Sequence, residues 1–271
     1  MGGFKDYILS WILQMVGGFD TNVTRAVSVL TSDIFSGSMF TMAKGIADSI
    51  TPIALTIITI AFLIEFLKIT IKMDVLKWEY GLRVFLKLVF AKVAIDISFP
   101  LLIAIYATAA EWILKAGAIN STLGSAVETA LKPIIANMTW YQALGLVSTM
   151  GIAFTAVWIS GMVVVVIAYA RMFELLIYVA IAPLPCAFLP FEDSRIPKKY
   201  FLSFAAVCLQ GLFIIISIKL YQAICVDTLI PAVQSAPALS DIAFNMLLGA
   251  LVLVMAVVKS GSWAKSILDA M

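Results

Sequence analysis

The feature that most constrains this chain is its succession of apolar runs, most close to twenty residues long and nearly free of charge. A run of that length, wound as a helix, covers the ~30 Å hydrocarbon core of a bilayer. Such runs fall at about 49–67, 82–110, 144–170, 200–226 and 241–258. A further apolar stretch, 174–190, is broken by Pro183, Pro185 and Pro190. Composition agrees: of 271 residues 63% are hydrophobic and 13% charged, where soluble domains average about 45–50% and about 25%. A soluble fold would lack the polar surface to cover its core. The expected fold class is all-α: a polytopic transmembrane helical bundle with N-terminal amphipathic helices and a proline-broken segment, either re-entrant or spanning.

Two parts are expected, amphipathic interfacial helices over 1–48 and a transmembrane domain over 49–271. Phe4, Tyr7, Ile8, Trp11, Ile12 and Met15 follow the i, i+3, i+4 spacing of one helical face. Gly17-Gly18 reads as the end of that helix, and Asp20-Thr21-Asn22 as the N-cap of a second. Its stripe is Val23, Ala26, Val27, Leu30 and Ile34. Such helices lie in the membrane interface or pack on a partner. No secretory cleavage pattern accompanies the single early cation, Lys5. Thr51 is expected to cap the first span, with Pro52 in its first turn, and Glu65 can pair with Lys68 at its far end. A helix over 82–110 would reach roughly 43 Å, so one end projects or the helix tilts.

Basic residues favour the cytoplasmic side. Arg195, Lys198 and Lys199 precede the span at 200–226, and Lys259 and Lys265 follow the last one, with no Lys or Arg in the 226–240 loop. The C-terminus is therefore expected inside. Six crossings would place the N-terminus inside and five would place it outside. Both arrangements put equal numbers of basic residues on the inner face, so charge alone leaves them open.

Catalytic patterns are missing. The chain has no histidine, and its three cysteines (Cys186, Cys208, Cys225) sit singly in apolar runs, as small hydrophobes do. No zinc-protease, P-loop, CxxC or nucleophile-elbow motif occurs. Neither an enzyme nor a cofactor is expected, and a net charge of +2 does not point to direct nucleic-acid binding. Ionisable groups within spans are the remaining pointers, because lipid tolerates them poorly. Lys92 and Asp96 stand four apart, suited to a polar lining or subunit contact, or to a snorkelling lysine beside its carboxylate. Arg171 and Glu174 can pair at i, i+3. Lys219 lies deep in a span with no acid within four residues, so it must face a cavity, another subunit or a carbonyl-lined gap. Gln210 can bridge helices. Pro183 and Pro185 mark a bend.

The segment 171–224 resembles the TrbL-like proteins of conjugative type IV secretion systems, in particular the Gram-positive branch carried on integrative and conjugative elements. The similarity rests on Arg171, Phe173 and Glu174, on the bend Ala182, Pro183, Pro185, on Lys199, Tyr200 and Leu202, and on Gln210-Gly211. Lys87, Lys92 and Asp96 add to it. The resemblance implies a multi-pass subunit of the cytoplasmic (inner) membrane, with five crossings, an outside N-terminus and an inside C-terminus. It implies a channel or scaffold through which DNA with its attached relaxase leaves the donor. Its partners would be further copies of itself, other secretion-system membrane subunits, ATPases and membrane lipid. The alternative from the residues alone is a stand-alone small-solute transporter or channel.

Overall fold

The computed structural model describes residues 2–71, 78–117, 127–129, 132–133, 139–190, 195–229 and 239–269. The described residues are overwhelmingly helical and contain no strand. Among the described residues the α-helices run in the order α1 Gly2–Thr31, α2 Ser38–Ile71, α3 Trp78–Gly117, α4 Trp140–Ile181, the single turn α5 Pro183–Cys186, α6 Ile196–Ile224 and α7 Leu239–Asp269. A 3₁₀ turn, Ile34–Ser36, separates α1 from α2, and a π turn, Cys225–Leu229, extends α6.

Five of these helices are long and apolar enough to cross a membrane, over Ser38–Lys68, Gly81–Gly117, Met150–Ile181, Ile196–Asp227 and Phe244–Leu268. Their outward faces bear large apolar side chains, including Ile60, Leu63 and Leu67 on α2 and Phe85, Phe90 and Ile97 on α3. Water would penalise such surface heavily, whereas lipid is its natural solvent. The chain is a multi-pass helical membrane protein.

Several boundaries differ from those the sequence led us to expect. Gly17-Gly18 does not end a helix, because α1 runs unbroken through it. Asp20 is accordingly a mid-helix residue and not an N-cap. The buried positions Ile8, Ile12, Phe19, Val23, Ala26 and Leu30 keep one helical phase across the glycines. Helix α2 starts at Ser38, so Pro52 is an interior proline and residue 48 falls within a continuous helix. The Thr51 hydroxyl donates back to Ala47 O at 2.9 Å instead of capping. Residues 174–181 continue α4, and only Pro183–Cys186 forms the separate turn.

The chain forms two compact units, each assembled from distant segments. One comprises 33–110, 172–209 and 265–271. Its core brings Ala54 and Ile58 of α2 against Ala91 and Ile95 of α3 and Cys186 and Ala187 at α5. Four of these six side chains are small, which lets helices approach closely without a hydrophobic driving force between them. At the bend, the Ala182 amide closes a tight turn on Val179 O (3.3 Å), and the Ala187 amide bonds Leu184 O at 3.1 Å. Pro183 and Pro185 have no N–H to pair, so both can be buried there at no hydrogen-bonding cost. The Tyr200 hydroxyl donates to the Tyr178 carbonyl in the last turn of α4, satisfying a helix-end acceptor.

The other unit comprises 1–32, 111–171 and 210–264. It contains α1, the end of α3, most of α4, the second half of α6 and most of α7.

Candidate functional site

Helix α1 is seated in this second unit by glycines that accept large side chains. A Cβ at Gly151 of α4 would lie 3.4 Å from the Trp11 ring, and one at Gly161 would lie 3.0 Å from the Phe19 ring and 3.3 Å from Asn22 Cβ. In the opposite sense, a Cβ at Gly18 of α1 would meet Trp158 at 2.9 Å. Residue numbers rise together along both helices, so α1 and α4 run parallel. Against α6 the order reverses: Phe19 packs edge-on to Tyr221 with centroids 5.7 Å apart, while Leu30 lies near Gly211. Helix α1 is therefore antiparallel to α6. It lies lengthwise along segments of α4 and α6.

This placement answers the question Lys219 posed. The charge acting on it is Asp20, the residue next to Phe19 on α1. Both residues are half-buried, and one Asp20 carboxylate oxygen is fully enclosed. The charge of an acid on another helix offsets part of the cost of enclosing a cation that no neighbour in sequence could match. The opposite face of α1 is polar and bare: Ser10, Gln14, Thr21, Thr24, Arg25 and Ser28 are all exposed. Asp20, Thr21, Thr24, Arg25 and Ser28 line an open recess.

Gln210 and Gly211 form a second contact centre. Gln210 is 1% exposed and donates Nε2–H to Ser260 Oγ of α7 at 3.1 Å. The Ser260 hydroxyl in turn donates to Val257 O at 2.6 Å. A Cβ at Gly261 would lie 2.8 Å from Gln210 Oε1, so only glycine leaves space for the amide. Gly211 in the same way admits Ile113 from the end of α3, at 2.9 Å. Gln210→Leu keeps the volume but strands the polar partner. We expect it to cost about 1 kcal/mol, measured as lower thermal stability in detergent, with Ser260→Ala costing less. The double variant should be no worse than Gln210→Leu alone, because the interaction can be lost only once.

The remaining expected residues lie elsewhere. Lys92 and Asp96 are both exposed on α3 and do not form a salt bridge with each other. Arg171 and Glu174 are half-buried on α4. Glu65 and Lys68 do meet, at 3.6 Å. Sequence reasoning missed Asp20 and the glycine seats. The available signal was the unbroken phase of the buried stripe through Gly17-Gly18.

A family model described as TrbL/VirB6 plasmid conjugal transfer like protein matches residues 20–183. That segment covers α2, α3, all of α4 and the C-terminal part of α1, and includes Lys92, Asp96, Arg171, Glu174 and Pro183. It leaves Tyr200, Gln210 and Gly211 outside. No curated protein and no solved structure matches the chain. With more than half its length matched and five helices fit to cross a bilayer, the chain belongs to the TrbL/VirB6 plasmid conjugal transfer-like family, as a multi-pass membrane component of conjugal transfer.

Proposed function

We propose that this protein is an inner-membrane channel subunit of a conjugative type IV secretion system, and that it carries DNA with its bound relaxase across the cytoplasmic membrane. The observation that carries the proposal is the family match over 20–183. The bare polar face of α1 supports a channel over a passive anchor. It acts as a homo-oligomer beside other membrane subunits and the system's ATPases, and it has no catalytic role of its own. Arg195, Lys198, Lys199, Lys259 and Lys265 favour a cytoplasmic C-terminus. With five crossings α2 then starts outside, and α1, parallel to α4, starts on the outer side as well.

The test is crosslinking during transfer. Mating donors are treated with formaldehyde, the chain is immunoprecipitated, and the transferred strand is quantified. The proposal predicts recovery of that strand above an untransferred chromosomal control, and only while the coupling ATPase is active. Equal recovery of both sequences would reduce the protein to a scaffold.

A further inference from the structure

We propose that helix α2 of one copy docks against helix α3 of the next, with Lys44 paired to Asp96 and Asp48 to Lys92 across the contact. The inference rests on the homo-oligomer proposed above for its purpose, but on these side chains for its geometry.

The two helices carry one pattern. Ala43-Lys44, Asp48 and Pro52 on α2 recur at the same spacing as Ala91-Lys92, Asp96 and Pro100 on α3. In both, the alanine is buried and the lysine, aspartate and proline are exposed. The lysine and aspartate stand one helical turn apart, yet neither pair closes: among the described residues none of the four charges joins a salt bridge. Acid-first pairs on the same helices do close, Glu65 with Lys68 at 3.6 Å and Glu111 with Lys115 at 2.8 Å. A lysine N-terminal to its acid is the poorer order for a bond along one helix. Each proline adds to the mismatch. It has no N–H to return to the carbonyl four residues back, which is Asp48 O on α2 and Asp96 O on α3. Each motif thus presents lysine donors on one turn and, on the next, a carboxylate beside a carbonyl that has lost its helical donor.

The occupant that matches is a second copy. Phe35, ahead of α2, meets Tyr106, and Ala54 and Ile58 lie against Ala91 and Ile95, so α2 and α3 are antiparallel. Their buried faces meet within one copy, and the two motifs turn their charges outward. Copies inserted the same way round set α2 of one antiparallel to α3 of the next. The order of charges is then reversed between the facing helices, and both Lys–Asp pairs form together. Read between the two contacts just given, the charge pairs differ in height by about five residues, roughly 8 Å, within reach of the lysine stems. An α2–α2 contact would instead be parallel and set Lys44 beside its own counterpart. Unlike surfaces joined head to tail close a ring, which suits a channel. Met42, Ile46 and Ile53 beside one motif and Phe90, Val93 and Ile97 beside the other are exposed, apolar flanks that suit a helix partner.

Charge reversal in separately tagged copies tests the contact. Lys44→Asp and Asp96→Lys are each made with two tags and expressed in donor cells, alone or mixed. Association is read by pulling down one tag in mild detergent and detecting the other. Each variant alone places like charges across the contact and should co-purify with itself at least about tenfold less than the parent. Mixed, the facing charges are again opposite in sign, and association should return to near the parental level. Asp48→Lys with Lys92→Asp repeats the design at the other pair, should either first variant fail to accumulate. Parental self-association by the single variants would overturn the proposal. So would a mixture as weak as either variant alone, since a pair closed within one copy cannot be rescued by a second. A parent that does not co-purify with itself would overturn the contact whether or not transfer needs the protein. Transfer is scored in the same donors: the predicted pattern in a protein that transfer does not need would leave the contact standing and remove the conjugal reading.

Discussion

Gly161→Leu should abolish accumulation of folded protein in the membrane, or lower its thermal stability in detergent more than any other single glycine substitution. A Cβ at this position already lies 3.0 Å from Phe19, which is fully buried, and 3.3 Å from Asn22 Cβ, close to the backbone of α1. Neither neighbour is the loose end of a flexible chain. Replacing glycine within a helix gains up to about 1 kcal/mol in propensity, whereas overpacking a close contact costs about 1–3 kcal/mol. The clash wins, and α1 must move away from α4 to relieve it. That displacement removes Phe19 from Tyr221 and strips Lys219 of its acid, so the cost spreads through the unit. Gly161→Leu combined with Phe19→Ala should be less damaging than the two single effects added, since the smaller side chain opens the seat. If Gly161→Leu is as stable as the parent, α1 does not dock here.

The second large effect concerns Asp20 and Lys219. Lys219→Met removes the cation and leaves Asp20 enclosed beside an apolar chain. Breaking a fully buried ion pair costs about 3–5 kcal/mol. Both groups here are half-buried, so about 2 kcal/mol is expected, seen as a lower unfolding temperature in detergent. Asp20→Asn in the same chain should recover most of the loss by removing the uncompensated charge. A Lys219→Met variant as stable as the parent would show that Asp20 is not what holds the lysine.

The spanning segments were legible because lipid imposes one rule over about twenty residues, and hydropathy reports it directly. Helix ends were not, because polar residues such as Thr51 and Asp20 can serve as caps or bond back within an unbroken helix. Only the packing distinguishes these uses. Gly17-Gly18 illustrates the point: the pair that reads as a stop is a seat for Trp158. The packing of α1 was hidden for a related reason. Its partners, Gly151, Trp158 and Gly161 on α4 and Tyr221 on α6, lie far along the chain. Lys219 was correctly singled out as needing something unusual nearby, but the acid that answers it lies at the other end of the sequence. Gln210 was expected to bridge helices. Its partner Ser260 and the glycine that makes room for it could be found only from the contact.

The central claim, that this chain is a working part of a conjugal transfer apparatus, is most directly tested by transfer from a donor lacking the gene, with and without the gene supplied in trans. The account predicts that transfer is lost and that the supplied gene restores it, while a Gly161→Leu copy does not. Transfer undiminished in a donor with no second copy would contradict it.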